Sequence, residues 1–175
     1  VGGGNTAVDC ARTALRRGAG RVVLLYRRTR DEMPADPREV IDAEAEGVEL
    51  RFLAAPTAIK RDADTITLSC IQMSLGEPDR SGRRRPVPVD GSDFSIEASM
   101  VIGAIGQSTN TQFLYHDLPV RLNKWGDIDV DGATMQSSEA RIFAGGDCVT
   151  GPATVIEAVA AGRRAAAAMD QLLTK

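Results

Sequence analysis

The sequence predicts an α/β fold in which a Rossmann-like, three-layer nucleotide-binding domain carries an antiparallel β-meander. Three observations predict it. A Gly-x-Gly-x-x-Ala turn formed by Gly2, Gly4 and Ala7 opens a helix with an apolar stripe. The unbroken run Val22-Val23-Leu24-Leu25 follows that helix at the spacing of a βαβ unit, as a buried parallel strand requires. Beyond Pro56 the apolar residues change to a period of two, the mark of strands with one solvated face.

The turn needs small residues for separate reasons. Gly2 permits a tight strand-to-helix reversal, Gly4 lets backbone N–H groups approach a pyrophosphate, and Ala7 lets the helix pack close to the sheet. The helix is predicted from about Asn5 to Arg17, with Ala7, Val8, Ala11, Ala14 and Leu15 inward and Gly18 as its stop. Its N-terminal N–H groups and positive dipole end suit phosphate. The second strand, Arg21 to Tyr26, ends at Arg27 and Arg28, where a cofactor without a 2′-phosphate is met by Asp or Glu. A guanidinium fork instead binds phosphate oxygens through paired hydrogen bonds, so Arg27 and Arg28, with Arg30 as a third candidate, point to NADP(H). The alternative is a solvated charge cluster, since Asp31 and Glu32 follow directly.

A second helix is predicted from Pro37 to Glu46, closed by Gly47, and a third strand from Val48 to Phe52. The meander comprises Thr57 to Lys60, Thr65 to Met73 and Phe94 to Glu97, with a first hairpin turn at Asp62-Ala63-Asp64. The polar segment from Gly76 to Asp93 is expected to form the second turn, with the basic run Arg83-Arg84-Arg85 in an exposed loop. Met100 to Gly106 reads as a short buried strand ending in a glycine turn. Trp125 reads as a hairpin residue, and Arg141 to Asp147 as a buried strand ending in Gly145-Gly146-Asp147. A long Ala-rich helix opens after Gly151-Pro152-Ala153-Thr154 and runs to about Leu173.

That last strand and helix can also hold a cofactor. The glycines allow close backbone approach, Asp147 can accept from sugar-like hydroxyls, and the helix start near Thr154 and Val155 can stabilise partial negative charge on a ring oxygen. A flavin dinucleotide carries both groups; a plain turn with an N-cap is the other reading.

Composition is compatible with this assignment. With 175 residues, 43% of them hydrophobic, the chain can bury a core of one domain or slightly more. A net charge of −3 argues against a nucleic-acid partner. No apolar stretch reaches the roughly 20 residues that span a bilayer, and a cytoplasmic protein is the expectation. Cys10, Cys70 and Cys148 lack metal-ligand spacing and read as reduced, mostly buried residues. His116, the single histidine, reads as a surface or structural residue, and Glu157, Arg163 and Arg164 as solvated helix positions. No side chain is singled out as a general acid or base. Because the chain starts at the residue before the glycine turn, we expect it to be part of a longer protein.

The stretches Gly2 to Arg12, Tyr26 to Ala35, Leu75 to Asp79 with Gly82 to Arg85, and Phe143 to Pro152 together resemble the small (beta) subunit of NADPH-dependent glutamate synthase and its relatives. Those relatives include the flavin-containing part of dihydropyrimidine dehydrogenase and related iron–sulfur oxidoreductase subunits. The resemblance implies that residues 1–107 are an NADPH-binding domain with a truncated first strand, and 108–175 the C-terminal portion of an FAD-binding domain. It implies Gly2, Gly4, Asn5 and Thr6 at the pyrophosphate, Arg27 and Arg28 at the 2′-phosphate, and Gly106 at the crossing between domains. It also implies Gly146 and Asp147 at the ribityl and pyrophosphate region of the flavin, and Thr154 with Val155 at its ring. At the crossing the family's Pro is replaced by Thr109.

The activity implied is hydride transfer from NADPH to FAD, with electrons passing on to iron–sulfur centres or a partner: the catalytic large subunit or another acceptor. The flavin site is expected to be incomplete in this chain, and the iron–sulfur clusters to lie in the parent protein only. Self-association of the chain through exposed apolar surface is an open outcome. The alternative from another class is a non-catalytic NADP(H)-binding or sensing module.

Overall fold

The computed structural model describes residues 1–79, 82–114 and 118–174. Tyr115, His116 and Asp117 lie outside the described residues, and with them the expectation for His116. The chain divides into two compact units, Val1–Ile105 and Gly106–Lys175.

The first unit begins with helix α1 (Asn5–Arg16), followed by strand β1 (Val23–Leu25), a 3-10 turn (Arg30–Glu32), helix α2 (Pro37–Ala45) and strand β2 (Glu49–Arg51). β1 and β2 pair in parallel with Val23 opposite Glu49 and Leu25 opposite Arg51. Side chains alternate across a strand, so Leu24 and Leu25 serve different cores. Leu24 joins Ala7, Val8, Ala11, Tyr26, Val40 and Ala43 beneath the helices, whereas Leu25 joins Ala54, Leu68 and Cys70 beneath the meander. This is the three-layer arrangement: helices, parallel strands, meander. Arg12 ties α1 to α2 by pairing with Glu39, with Asp42 at 3.5 Å and with Glu46 at 2.7 Å.

The meander is an antiparallel sheet of β3 (Ala54–Asp62), β4 (Thr65–Pro78) and β5 (Arg84–Ala98) in that order. Ala63 takes a left-handed φ of 49° in the first turn, as the Asp62-Ala63-Asp64 reading requires. The second hairpin corrects the sequence reading. Gly76 to Asp93 is not a loop: β4 continues to Pro78, β5 starts at Arg84, and Pro78 pairs with Arg84. Pro86 and Pro88 signalled a loop, but β5 is an edge strand, where a missing N–H costs no ladder bond on the outer side.

Met100 to Gly106 is also not a buried strand. It is held at Val1 by two hydrogen bonds, from the Val1 α-ammonium to the Ile102 carbonyl and from Ala104 N–H to the Val1 carbonyl, each 2.8 Å, and Met100 and Ile105 are exposed.

Among its described residues the second unit has a 3-10 turn (Gln112–Leu114), otherwise irregular chain with three isolated antiparallel bridges, Leu122 to Ile128, Val130 to Ser137 and Gln136 to Phe143, then a short helix α3 (Asp147–Thr150) and the long helix α4 (Val155–Leu173). The predicted strand from Arg141 to Asp147 is reduced to the Phe143 bridge. Trp125 sits in the turn between Leu122 and Ile128, exposed, with the Lys124 ammonium 4.1 Å from its ring centre. The core of this unit is Met135, Ala161 and Ala165, with Val130 and Phe143 packed against it. No helix among the described residues is long and apolar enough to cross a membrane.

Candidate functional site

In the first unit the candidate site is the glycine turn and the loop after β1. Gly2 donates its N–H to the Leu25 carbonyl at 3.0 Å and has a φ of +142°; a Cβ there would stand 2.2 Å from the Ala104 carbonyl oxygen. Gly3 has no room either, because a Cβ would meet the Tyr26 ring at 2.4 Å. Gly4 differs: nothing lies within 4 Å of where its Cβ would be. Its backbone is therefore open to a visitor.

Gly4 is also the N-cap of α1, and no side chain caps that helix. The other long helices supply their own caps. Asp36 accepts from Arg38 N–H at 2.8 Å at the start of α2, and Thr154 with Glu157 forms a capping box at the start of α4. An uncapped N-terminus leaves its first-turn N–H groups and dipole end for an external anion. Asn5 and Thr6 are exposed in that turn. Asn5 also braces the next loop, since its Oδ1 accepts from Asp36 N–H at 2.8 Å, while Ala35 N–H donates to the Gly3 carbonyl at 3.1 Å.

The three arginines expected at the 2′-phosphate have three different settings. Arg27 is exposed and makes no ion pair among the described residues. Arg28 is buried; its Nη2 donates to Asp79 at 3.0 Å and its Nε to the Arg84 carbonyl at 2.7 Å. Arg30 pairs with Glu44 and stands over the Phe52 ring. The loop that carries them is fixed by Tyr26, whose hydroxyl donates to the Glu32 carbonyl at 2.8 Å. The Thr29 hydroxyl and N–H both donate to the Glu32 carboxylate, which holds that carboxyl below its ordinary range. The structure therefore brings Gly4, Asn5, Thr6 and Arg27 to open surface and takes Arg28 away from it. Gly3 and Asp79 were missed as determinants: Gly3 is an unspecified position of the turn motif, and Asp79 acts from a residue distant in sequence.

In the second unit Gly145 and Gly146 lie under α4. A Cβ at Gly145 would come within 2.9 Å of the Ala161 Cβ, and one at Gly146 within 3.4 Å of the Ala158 Cβ. Close packing against α4 thus accounts for both glycines. Gly146 has a φ of +77°, as has Gly106 at +96°. Asp147 is exposed, with its Oδ1 accepting from Ala153 N–H at 3.2 Å. The Thr154 N–H is taken by Glu157 at 2.9 Å, and the Thr154 hydroxyl by the same carboxylate at 2.6 Å, so an added ligand would find the N–H groups one residue further on, starting at Val155. Val155 is 81% exposed. All three cysteines are free thiols, but only Cys70 is buried; Cys10 and Cys148 are half-buried.

The chain is 54% identical over 174 residues to the beta subunit of an NADP(+)-dependent formate dehydrogenase from Moorella thermoacetica, covering 99% of this chain and 24% of that one. It is 39% identical over 167 residues to the glutamate synthase [NADPH] small chain of Azospirillum brasilense, covering 95% of this chain and 35% of the relative. The chain therefore spans about a quarter to a third of these relatives. Among solved structures it matches thioredoxin reductase of T. acidophilum with a TM-score of 0.77 at 22% identity, over 99% of this chain and 51% of that one. It matches Mycobacterium tuberculosis FprA in complex with NADPH at 0.67 and 19%, over 99% and 52%. These two likenesses show the shared α/β fold. The sequence pattern of one family runs through the glycine turn, the arginines of the β1 end and the Gly-Gly-Asp segment alike, from residue 1 to residue 162, and on that match the chain belongs to the pyridine nucleotide-disulphide oxidoreductases.

Proposed function

We propose that this chain is part of an FAD-dependent NADPH oxidoreductase of the glutamate synthase small-subunit kind. In this reading residues 1–107 bind NADPH and residues 108–175 form the C-terminal portion of an FAD-binding domain. The observation that carries it is the bare N-terminus of α1 beneath the open Gly4, with the exposed Arg27 at the end of the adjacent strand.

The residues fit the cofactors in chemistry. First-turn N–H groups at Gly4, Asn5 and Thr6 would take the pyrophosphate, and Arg27 would take the 2′-phosphate. Gly2 acts earlier, by allowing the reversal that aims the turn. In the second unit, Asp147 offers a carboxylate to hydroxyls, the N-terminus of α4 at Val155 offers N–H groups to a ring oxygen, and Gly106 and Gly146 supply turns. A bound flavin supplies an acceptor for hydride and a route for single electrons; the protein contributes position and field. The electrons would leave for iron–sulfur centres of the parent protein or for a partner, either a large catalytic subunit or another acceptor. Three free thiols support a reducing, cytoplasmic setting.

The test is titration of the full chain with NADPH and NADH. NADPH is expected to bind more tightly, and Arg27→Ala to remove most of that preference, since a charged hydrogen bond contributes about 1.5–3 kcal/mol. Equal affinities, or an unchanged preference in Arg27→Ala, would overturn the reading.

A further inference from the structure

Arg28 is committed to protein partners along the edge of its guanidinium formed by Nε and Nη2. Its side chain is 6% exposed, and both its acceptors, the Asp79 carboxylate and the Arg84 carbonyl, belong to the tip of the β4–β5 hairpin. A guanidinium leaves water this fully only where acceptors replace the water. The backbone under Arg28 is fixed as well, because Leu53 N–H donates to its carbonyl at 3.1 Å. From the other side the tip braces itself. Asp79 N–H donates to the Arg83 carbonyl at 2.7 Å, and the Arg84 side chain folds back to the carbonyls of Gly76 at 3.2 Å and Leu75 at 2.7 Å. The guanidiniums of the buried Arg28 and the exposed Arg84 are thus held by acceptors of the protein, whereas Arg27 and Arg85 are exposed and make no ion pair among the described residues.

We propose that Arg28 and Asp79 form a clamp that sets the hairpin tip beside the end of β1, so that Arg85 shares the 2′-phosphate with Arg27. The proposal rests on the NADPH reading and adds to it a specificity element from a distant hairpin. The geometry behind it is one contact. The carbonyl that Arg28 holds belongs to the peptide group joining Arg84 to Arg85, and Arg27 directly precedes Arg28, so the hydrogen bond fixes the backbone next to each of the two exposed arginines. Arg28 is then a positioning residue, and Asp79 its anchor. The extension of β4 and β5 through Gly76, Pro86 and Pro88 has a role in this scheme: a floppy loop could not hold a charge in register.

The experiment titrates the full chain with 2′,5′-ADP and with 5′-AMP, which differ only in the 2′-phosphate. Asp79→Asn and Arg85→Ala are each expected to weaken 2′,5′-ADP binding about tenfold, the effect of one charged hydrogen bond, and to leave 5′-AMP unchanged. Unchanged or tighter 2′,5′-ADP binding in Asp79→Asn would overturn the clamp, because a carboxylate that merely competed for Arg28 would free it for phosphate when removed. Loss of both ligands in Asp79→Asn would mark misfolding, and the exposed Arg85→Ala then decides: no change there removes the tip from the site. Arg27→Ala measured alongside separates the two levels. If it leaves the ratio of the two ligands unchanged, the NADPH reading itself has failed.

Discussion

The ring of Tyr26 occupies the space that any side chain at Gly3 would need: a Cβ built on Gly3 falls 2.4 Å from Cε2 and 2.5 Å from Cδ2. The ring is not free to swing away, since its hydroxyl is held by the Glu32 carbonyl and the residue is 6% exposed. Gly3→Ala is therefore expected to destabilise the first unit by about 1–3 kcal/mol, the usual cost of overpacking. Urea denaturation checks it. The cost should shrink in a Tyr26→Leu background, where the ring is gone; an equal cost in both backgrounds would show that the clash lies elsewhere.

Gly2 and Gly4 flank that contact and should respond in opposite ways. Gly2 combines a φ of +142° with a backbone oxygen 2.2 Å from the would-be Cβ. Neither relaxes easily, so Gly2→Ala should cost more than about 3 kcal/mol and deplete folded protein. Gly4 has an ordinary φ of −91° and open space, so Gly4→Ala should cost no more than about 1 kcal/mol, as a changed N-cap does. NADPH binding should nevertheless weaken about tenfold or more, because the methyl group blocks a phosphate–amide hydrogen bond. Calorimetry on Gly4→Ala reads both; a stable variant with wild-type affinity would remove the pyrophosphate from this turn.

These glycines show where the sequence was legible. Local signals were read well: α1, α2 and α4 stand within a residue or two of their predicted ends, because their caps and stops are written beside them, as with Asp36, Pro37 and Gly47. The parallel pairing and the meander followed from apolar period alone. What failed depended on partners far along the chain. Pro86 and Pro88 signal a loop until one knows that β5 is an edge, and the partner that Arg28 meets in Asp79, 51 residues away, has no local signal. Met100 to Gly106 looked buried by composition, yet an apolar run is a strand only if neighbours pair with it. The arginine pair was legible as chemistry but not as geometry.

Helix α4 offers a check on the second unit alone. Thr154 accepts from Glu157 N–H at 3.4 Å and donates its own N–H and hydroxyl to the Glu157 carboxylate, whose pKa is pulled down chiefly by that hydroxyl. Thr154→Ala should cost about 1 kcal/mol, whereas Thr154→Ser should be close to neutral. Hydrogen exchange locates the effect: the amides of Glu157 and Ala158 should lose protection first, and those of the first unit should not change. Uniform loss across both units would contradict a local cap.

Acid should weaken the bond between α1 and α2 below about pH 4.5. Glu46 accepts from Arg16 at 2.5 and 3.0 Å and from Arg12 at 2.7 and 3.0 Å, and these partners, Arg16 first, lower its pKa from 4.5 to about 2. The folded pKa lies below the unfolded one, so the carboxylate stabilises the fold above about pH 4.5, and its contribution is lost as pH falls toward 2. Glu46 is exposed to solvent, so the effect should also weaken with salt. The measurement is the difference in urea midpoint between the wild-type chain and Glu46→Gln as a function of pH. It should be constant from pH 7 to about 5, fall across the window below, and vanish near pH 2; a difference that does not change with pH would show that Glu46 acts through packing rather than charge.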